Sequence, residues 1–326
     1  MRSTMTARTK RSIHVAIVTI MLAVPASAFA LSSTVTDTQA SAGAPLHVRI
    51  SPRRTTLNHA VTVSGQASAA DAGHRAVLET APRSETNWRP LAASNIDSAG
   101  RFQIRSRLRN SGYLRVIDAG PTAVAAAVTS SQVAVPSGGL ASAPQRVAVA
   151  ASFRVASHSR DVLAGSALLV RGWLRPARAG RAVRIQGHSG SGWQTLADGR
   201  TGAAGGFRLR FHPSSGLQRP LRVRFTGDTA NSGATRSVGA MTVYGQSVAS
   251  WYNDGGNTAC GFHAGFGVAN RSLPCGTKVR IRYGGRSVTA TVDDRGPFVG
   301  GRNWDLNQST AGALGFGGVG TIWVSQ

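Results

Sequence analysis

The sequence predicts an all-β protein, and three observations support that prediction. Short runs of alternating apolar and polar residues recur along the chain, separated by glycines and polar clusters. One unit of this kind occurs twice, with an offset of 107 residues between Gly65 and Gly172. A Gly284-Gly285 turn between two alternating runs marks a hairpin near the C-terminus. A chain of 326 residues is long enough for two or three domains.

The first 30 residues have the pattern of a secretory signal. Basic residues up to Arg11 precede an apolar run from Val15 to Val24, which is too short to span a bilayer, and Ala-Phe-Ala at 28–30 fits a cleavage site. A short membrane anchor is the alternative. Export predicts a secreted protein with no stable membrane span after processing, and it excludes nucleic acid as a routine partner.

The chain is strongly basic, with 37 Lys and Arg against 13 Asp and Glu and a net charge of +24, which favours anionic polymers as partners. Period-two spacing places many of the arginines on solvent-facing sides of predicted strands. These arginines are either a solvated surface or a basic face that holds an anionic polymer. The set comprises Arg101, Arg105, Arg107, Arg109, Arg208, Arg210, Arg222 and Arg224.

The two repeated units resemble bacterial immunoglobulin-like β-sandwich modules in the spacing of their strands and turns. Each has a tryptophan shortly ahead of a Gly-x-Phe turn, Trp88 or Trp193, which we expect to be a core anchor. A connector between the units is expected to end in a strand. The predicted organisation is a signal at 1–30, a flexible linker at 31–44, module 1 at 45–135, a linker at 136–149, module 2 at 150–245 and a terminal domain at 246–326.

The terminal domain has the clearest local signals. Val248–Tyr252 is an aromatic strand, and the runs Lys278–Tyr283 and Arg286–Asp293 flank the diglycine turn as a hairpin. A short helix is expected over Gln308–Leu314, with Asn307 as its N-cap. Because export places the chain in an oxidising compartment, Cys260 and Cys275 are expected to be bridged. No nearby histidine pair supports a zinc site, and no metal or cofactor is expected.

Two adjacent acids follow the second hairpin strand. Val288, Ala290 and Val292 share one face, and in a regular strand Asp294 shares it too, whereas Asp293 points to solvent. A carboxyl group at the end of an apolar face is partly desolvated, which raises its pKa and suits it to donate a proton. Asp294 is therefore the candidate acid.

Four motifs in the terminal domain resemble the rare lipoprotein A (RlpA) family over about residues 246–326: Ala-Ser-Trp-Tyr ending at Tyr252, Leu-Pro-Cys-Gly around Cys275, Asp-Arg-Gly-Pro from Asp294, and Asp-Leu from Asp305. The resemblance implies a six-stranded double-psi β-barrel in a secreted or cell-wall-associated bacterial protein. It also implies lytic transglycosylation of peptidoglycan glycan strands. In that scheme Asp294 is the catalytic acid and base, and Asp305 is structural or orienting.

The chain departs from the family pattern at two polar positions. Asn270 stands where the family has a histidine, and no glutamate occurs from Gln246 onward, where the acids are Asp254, Asp293, Asp294 and Asp305. Asparagine can orient a sugar hydroxyl or a carboxyl group but cannot relay a proton at neutral pH. We therefore list Asn270 with Asp294 as catalytic candidates. His263, in the preceding loop, is the candidate replacement, and a merely exposed loop histidine is the alternative.

The resemblance implies three functional hypotheses. The first is a lytic transglycosylase, the second an expansin-like module that binds wall glycan without cutting it, and the third a secreted protease inhibitor on the same barrel. Peptidoglycan is the expected partner, together with anionic wall polymers through the basic modules. Each aromatic candidate for substrate binding has core packing as its alternative. The candidates for substrate binding are Trp251, Tyr252, His263, Arg295, Trp304 and Asp305.

Overall fold

The computed structural model describes residues 46–82, 87–121, 140–156, 160–214, 218–253 and 255–326. The predicted signal, the linker at 31–44 and Asp254 lie outside these residues. Among the described residues, strands dominate and confirm the all-β prediction. No helix among them has the length and apolar character needed to cross a membrane.

Module 1 consists of two sheets that enclose one core. Strands β1, β3 and β6 form a three-stranded sheet, and β5, β4, β7, β8 and β2 follow in order in the other. Side chains from both sheets, such as Val63 and Val116, are fully buried between them. The strands are β1 His47–Ser51, β2 Arg54–Thr56, β3 Ala60–Gln66, β4 Arg75–Pro82, β5 Arg89–Asn95, β6 Arg101–Arg107, β7 Gly112–Asp118 and β8 Gln145–Ala150.

Module 2 repeats this arrangement. The order β9-β11-β14 matches β1-β3-β6, and β13-β12-β15 matches β5-β4-β7. The corresponding strands support the repeat found in the sequence, and the likeness to immunoglobulin domains stays a prediction. The strands are β9 Ser152–Val155, β10 Arg160–Leu163, β11 Leu168–Arg175, β12 Ala182–Ser189, β13 Gly192–Arg200, β14 Gly206–Phe211, β15 Arg219–Gly227 and the first half of β16 Ser232–Tyr252.

Two predicted boundaries differ from the structure. The linker expected at 136–149 ends in β8, whose Val147 and Val149 lie in the core of module 1. Strand β8 is thus the strand in which the connector was expected to end. Strand β16 continues for 21 residues from module 2 into the terminal domain, so the boundary expected at 245–246 falls within a strand. Gly245 and Gln246 already pair with the last strand of the chain.

The terminal domain is a closed ring of six strands. The pairing order is β16-β21-β18-β19-β17-β20, and β20 pairs again with β16. The ring encloses its own apolar core, with Val268, Ile281 and Leu306 fully buried. The elements after β16 are β17 Gly267–Ala269, β18 Lys278–Tyr283, β19 Arg286–Asp294, β20 Trp304–Asn307, α1 Gln308–Leu314 and β21 Gly320–Ser325. The predicted hairpin and the helix capped by Asn307 are confirmed.

The two module tryptophans are not core anchors. Trp193 is 36% exposed, and Trp88 is only partly buried. An arginine stacks on each ring. Cζ of Arg115 lies 4.3 Å from the ring centroid of Trp88, and Cζ of Arg222 lies 3.9 Å from that of Trp193. A cation above the indole face stabilises a tryptophan on an outer sheet surface without burying it. The prediction of core anchors was wrong, because each tryptophan contacts an arginine at the surface and not the core.

Candidate functional site

Strand β19 ends at the two adjacent acids, where its pairing with β17 is irregular. Val268 pairs with Val292, whereas Ala269 pairs with Asp294, so that Asp293 is an extra residue opposite the shorter strand. A bulge of this kind breaks the alternation of side chains between the two faces of a strand. The pairing places Asp294 with Ala269 on the outer face of the ring. The prediction that Asp294 continues the core face was therefore wrong.

Asp293 is fully buried, although the strand pattern predicted that it points to solvent. Its Oδ2 accepts a hydrogen bond from the backbone N–H of Ala264 at 2.8 Å, in a loop that covers this part of the outer face. Burial raises the pKa of Asp293, and this increase is partly offset by the Ala264 hydrogen bond and the charge of His263. The covering loop explains the burial, and strand alternation gives no information about such a loop.

The Asp294 carboxylate is held by one of its oxygens. Oδ1 accepts hydrogen bonds from the backbone N–H groups of Ala259 and Arg295, both at 2.8 Å. No other hydrogen bond from the described residues reaches this carboxylate. Asp294 is partly exposed, so Oδ2 is the oxygen available to a ligand. Two backbone donors fix the orientation of the group before any ligand arrives.

Asp294 and Asp305 flank one alanine on the outer face. Ala269 of β17 pairs with Asp294 of β19 on one side and with Asp305 of β20 on the other. Two strand spacings separate the Cα atoms of the two acids by roughly 9.5 Å. Both acids line an open cleft of about 160 Å³, smaller than most ligand pockets and typical of a shallow groove. The cleft is lined by Tyr252, Ala269, Asp294, Arg295, Gly296, Pro297, Phe298, Val299, Arg302 and Asp305.

Asp305 retains a proton more readily than an ordinary aspartate. Burial raises the pKa of Asp305, the hydroxyl of Ser250 and the charge of Arg302 partly offset this effect, and the charge of Asp294 raises it further. Burial thus favours the protonated form of the Asp305 carboxyl group beside Asp294.

Sequence reasoning missed several residues of the cleft, among them an aromatic residue and a cation. Phe298 is 82% exposed on its wall, and Arg302 lies close enough to Asp305 for its charge to lower the pKa of that carboxyl group. Both closely follow the Asp-Arg-Gly-Pro motif in the chain. An aromatic and a cation directly after a predicted catalytic motif were the signals available in the sequence.

Asn270 closes a turn with its side chain. Its Oδ1 accepts hydrogen bonds from the backbone N–H groups of Ser272 at 3.1 Å and Leu273 at 3.0 Å. Its Nδ2 donates to the carbonyl oxygen of Asn303 at 3.2 Å, and the residue is 9% exposed. The carboxamide thus holds the loop after β17 and makes no contact with the Asp294 carboxylate. Its contacts favour a structural role over the expected orientation of substrate or carboxyl.

Arg295 also supports this loop. Its guanidinium donates to the carbonyl oxygens of Asn270 at 3.0 Å and Leu273 at 2.7 Å, and it lies 2.9 Å from Sγ of Cys275. Although Arg295 lines the cleft, these contacts occupy its planar group. Asp294 and Arg295 therefore anchor the two loops on either side of the cysteine pair.

The predicted disulfide between Cys260 and Cys275 is confirmed, with a Cα–Cα distance of 5.8 Å. The bridge joins the loop that donates to Asp294 to the loop that Arg295 holds. Cys260 itself donates its N–H to the carbonyl oxygen of Asp293 at 3.2 Å. The covalent link thus stabilises the surroundings of both acids.

Reduction of this bridge is expected to destabilise the terminal domain by about 3 kcal/mol, because the bond restricts a loop of 15 residues in the unfolded chain. The chain has two cysteines, so a reductant breaks this bond and no other disulfide. Amide hydrogen exchange in β17 and β19 measures the effect, with exchange in β4 and β12 as the internal control. Unchanged exchange in the ring after reduction would contradict this prediction.

The remaining predicted binding residues separate in the structure. Tyr252 lines the cleft, and Trp251, on the neighbouring position of β16, is 43% exposed. Trp304 is 5% exposed and belongs to the core of the ring, so it packs in the core and is not available to bind substrate. His263 is exposed in the covering loop near Asp293 and does not line the cleft.

One group of described residues has the spacing of metal ligands, namely Asp71, His74 and Asp118 in module 1. Nδ1 of His74 lies 2.9 Å from Oδ2 of Asp118, whose Oδ1 accepts a hydrogen bond from Gly120. Hydrogen bonds therefore account for this group without an ion.

Comparison with known proteins identifies relatives of the terminal domain. A family model described as lytic transglycolase matches residues 245–325. A stretch of 85 residues is 41% identical to the probable endolytic peptidoglycan transglycosylase RlpA of Synechocystis sp. and covers 23% of this chain and 26% of the relative. A stretch of 55 residues is 49% identical to the protein of the same description from Nostoc sp., covering 16% and 15% of the two chains. The matched stretches thus span about a quarter or less of these curated relatives.

Among solved structures, the D0-D1 domain of Intimin aligns with a TM-score of 0.22 and 11% identity, covering 60% of this chain and 97% of that one. A similarity this low carries no argument about the modules. The range matched by the family model contains the motifs around Cys275, Asp294 and Asp305. Residues 245–325 are therefore similar to the lytic transglycolase family, and the resemblance to RlpA is confirmed for this part of the chain.

Proposed function

We propose that the terminal domain is a lytic transglycosylase of peptidoglycan and that Asp294 is its acid and base. The observation that carries the proposal is the Asp294 carboxylate, which is fixed through Oδ1 by two backbone donors and leaves Oδ2 available in an open cleft. The match of residues 245–325 to the lytic transglycolase family model supports the same reaction.

The proposed reaction needs one carboxyl group in two successive roles. Protonated Asp294 donates its proton to the glycosidic oxygen after N-acetylmuramic acid, and the bond from C1 to that oxygen breaks. The resulting carboxylate removes the proton from the C6 hydroxyl of the same sugar as its oxygen bonds to C1. The products are a 1,6-anhydromuramic end and a free 4-hydroxyl, no water is consumed, and Asp294 regains its proton.

Asp305 is proposed to keep a proton at the site. Burial raises the pKa of Asp305, and the charge of Asp294 adds to this effect. A proton on Asp305 is therefore retained to higher pH than on an ordinary aspartate. Asp305 is thereby proposed as a positioning residue beside Asp294.

The walls of the cleft suit a sugar chain. Phe298 and Val299 are exposed on one side, at 82% and 55%, and the ring of Tyr252 lines the cleft as well. Aromatic side chains with a polar tip or an exposed face are suited to the apolar faces and hydroxyls of sugars. An open groove also admits an internal segment of a long glycan strand.

A second candidate, a domain that binds glycan without cutting it, is favoured by one observation. Asn270 occupies the position of the family histidine, and its carboxamide is committed to the turn formed with Ser272 and Leu273. An asparagine held in this way supplies no proton relay. The cleft would then retain its sugar contacts and lose the chemistry.

Purified sacculi incubated with the full chain distinguish the two candidates. We expect soluble products with 1,6-anhydromuramic ends, measured by mass spectrometry, from sacculi with or without stem peptides. Heat-denatured protein is the control for spontaneous release. Sedimentation of the protein with sacculi without any anhydro product would overturn the enzymatic proposal and leave the binding function.

We further propose that the chain is exported and works at the bacterial cell wall. The basic n-region and apolar run before residue 30 support export, and the likeness of the terminal domain to peptidoglycan transglycosylases supports the wall as its location. The immunoglobulin-like modules would then act as spacers or wall-binding units.

A further inference from the structure

The outer face of the three-stranded sheet in module 2 is basic around one tryptophan. Strand alternation and burial place its polar side chains in solvent, while Val170, Leu174 and Leu209 point into the core. We call this surface the Trp173 face. It comprises Arg154 of β9, Arg171, Trp173 and Arg175 of β11, and Arg208 and Arg210 of β14.

The five arginines of the Trp173 face have no acidic partner among the described residues. Arg171 and Arg208 pair directly across neighbouring strands, an arrangement of like charges that destabilises a sheet. The acids in the described parts of module 2 lie elsewhere. Asp161 contacts Arg282 at 3.0 Å, Asp228 contacts Arg181 at 2.9 Å, and Asp198 lies on β13 of the other sheet.

Trp173 presents an open ring surface. It is 47% exposed, and a Cβ atom placed on Gly206, its cross-strand partner, would lie 3.6 Å from the indole Nε1. The indole therefore lies over the glycine at the surface of the sheet. Trp88 and Trp193 each have an arginine stacked on the ring, whereas no arginine stacks on Trp173 in the part of the chain that the structure describes.

The corresponding face of module 1 lacks this combination. Gln66 occupies the position that Trp173 has in module 2, and Arg101 there contacts Asp97 at 3.3 Å. The exposed aromatic is thus a property of module 2 and not of the repeat, whereas Arg49, Arg105 and Arg107 make the corresponding face of module 1 basic as well. The tryptophan among the arginines favours a specific partner over general surface basicity.

We propose that the Trp173 face binds an anionic polymer of sugars or polyols joined by phosphodiester groups. Guanidinium groups match phosphate oxygens in two-point hydrogen bonds, and an open indole packs against the apolar face of a sugar or polyol between phosphates. Single-stranded nucleic acid offers similar chemistry. The choice of a wall polymer rests on the proposed function of the terminal domain.

The test measures binding of the full chain to purified poly(glycerol phosphate) at increasing sodium chloride concentrations. In the double variant Arg171→Ser/Arg208→Ser, the dissociation constant is expected to rise about tenfold. The slope of a plot of log Kd against log salt concentration is expected to fall by about two. The matched control is Arg184→Ser/Arg224→Ser, which removes a cross-strand arginine pair from the other sheet. Its dissociation constant should change less than about threefold, because it removes only distant charge.

Three results would overturn the proposal. The first is an equal loss of affinity in both double variants, which would mean that net charge alone acts. The second is tighter binding to a single-stranded oligonucleotide of equal phosphate number, and the third is tighter binding to phosphatidylglycerol vesicles.

Trp173→Ala is expected to weaken polymer binding about fivefold, in the range of one lost aromatic contact. Because binding involves no turnover, the same titration with Asp294→Asn separates this proposal from failure of the enzymatic one.

Discussion

Replacement of Asp294 by Asn is expected to lower the release of anhydromuramic products from sacculi by about 10²-fold to 10⁴-fold, the usual contribution of a general acid and base. The carboxamide oxygen can still accept the hydrogen bonds that Ala259 and Arg295 donate to Oδ1. The fold and the sacculus binding of the variant should therefore persist. What is lost is the ionisable oxygen in the cleft.

Two further variants make the Asp294→Asn result specific. Asp198→Asn changes an exposed aspartate on β13 of module 2 and should retain wild-type product release. Asp305→Asn should lower the rate less than Asp294→Asn and shift its pH profile, because it removes a neighbouring carboxyl group whose own pKa is raised by burial. Wild-type product release by Asp294→Asn would exclude this residue as the acid.

The residues of β19 up to Asp294 show what strand periodicity predicts correctly and where it fails. Alternation along β19 correctly places Ala290 and Val292 in the core, since both are fully buried. It fails at Asp294, because the bulge opposite Ala269 inserts Asp293 and reverses the alternation that follows. A bulge depends on the partner strand, which is distant in sequence. The motif match selected Asp294 independently of periodicity. Asp294 therefore remains the candidate acid although the argument from strand alternation was incorrect.

The same distinction between local and distant information applies to the fold. The diglycine hairpin and the helix capped by Asn307 are specified by adjacent residues, and both were predicted. The disulfide followed from the expected compartment and from the presence of two cysteines. The closure of the ring through β16 and β20, and the arginines stacked on Trp88 and Trp193, require knowledge of which strands become neighbours. A single sequence does not contain that knowledge in a local form.

The second large effect is expected at Gly267, where the backbone of β17 passes directly over the buried carboxylate of Asp293. A Cβ atom at Gly267 would lie 2.2 Å from Oδ2 of Asp293, 2.6 Å from Oδ1 and 2.7 Å from Cγ. The Asp293 side chain is fully buried and has Ala264 as its hydrogen-bond donor, so it cannot move aside freely. Gly267→Ala should therefore destabilise the ring by about 2–3 kcal/mol, at the upper end of typical overpacking.

A double-mutant cycle identifies the cause of this destabilisation. Asp293→Ala alone leaves the N–H of Ala264 without its acceptor and should cost about 1–3 kcal/mol. In Gly267→Ala/Asp293→Ala the overlap is gone, so the double variant should be more stable than the sum of the single changes by about 1–3 kcal/mol. Hydrogen exchange of the amides in β17 and β19 measures these free energies in the full chain.

Gly245→Ala is the matched control. A Cβ atom at this strand position of the same ring would lie 3.9 Å from the carbonyl oxygen of Val324, so the substitution should have little effect on stability. Additive single changes would show that Gly267 is required for a reason other than space for Asp293.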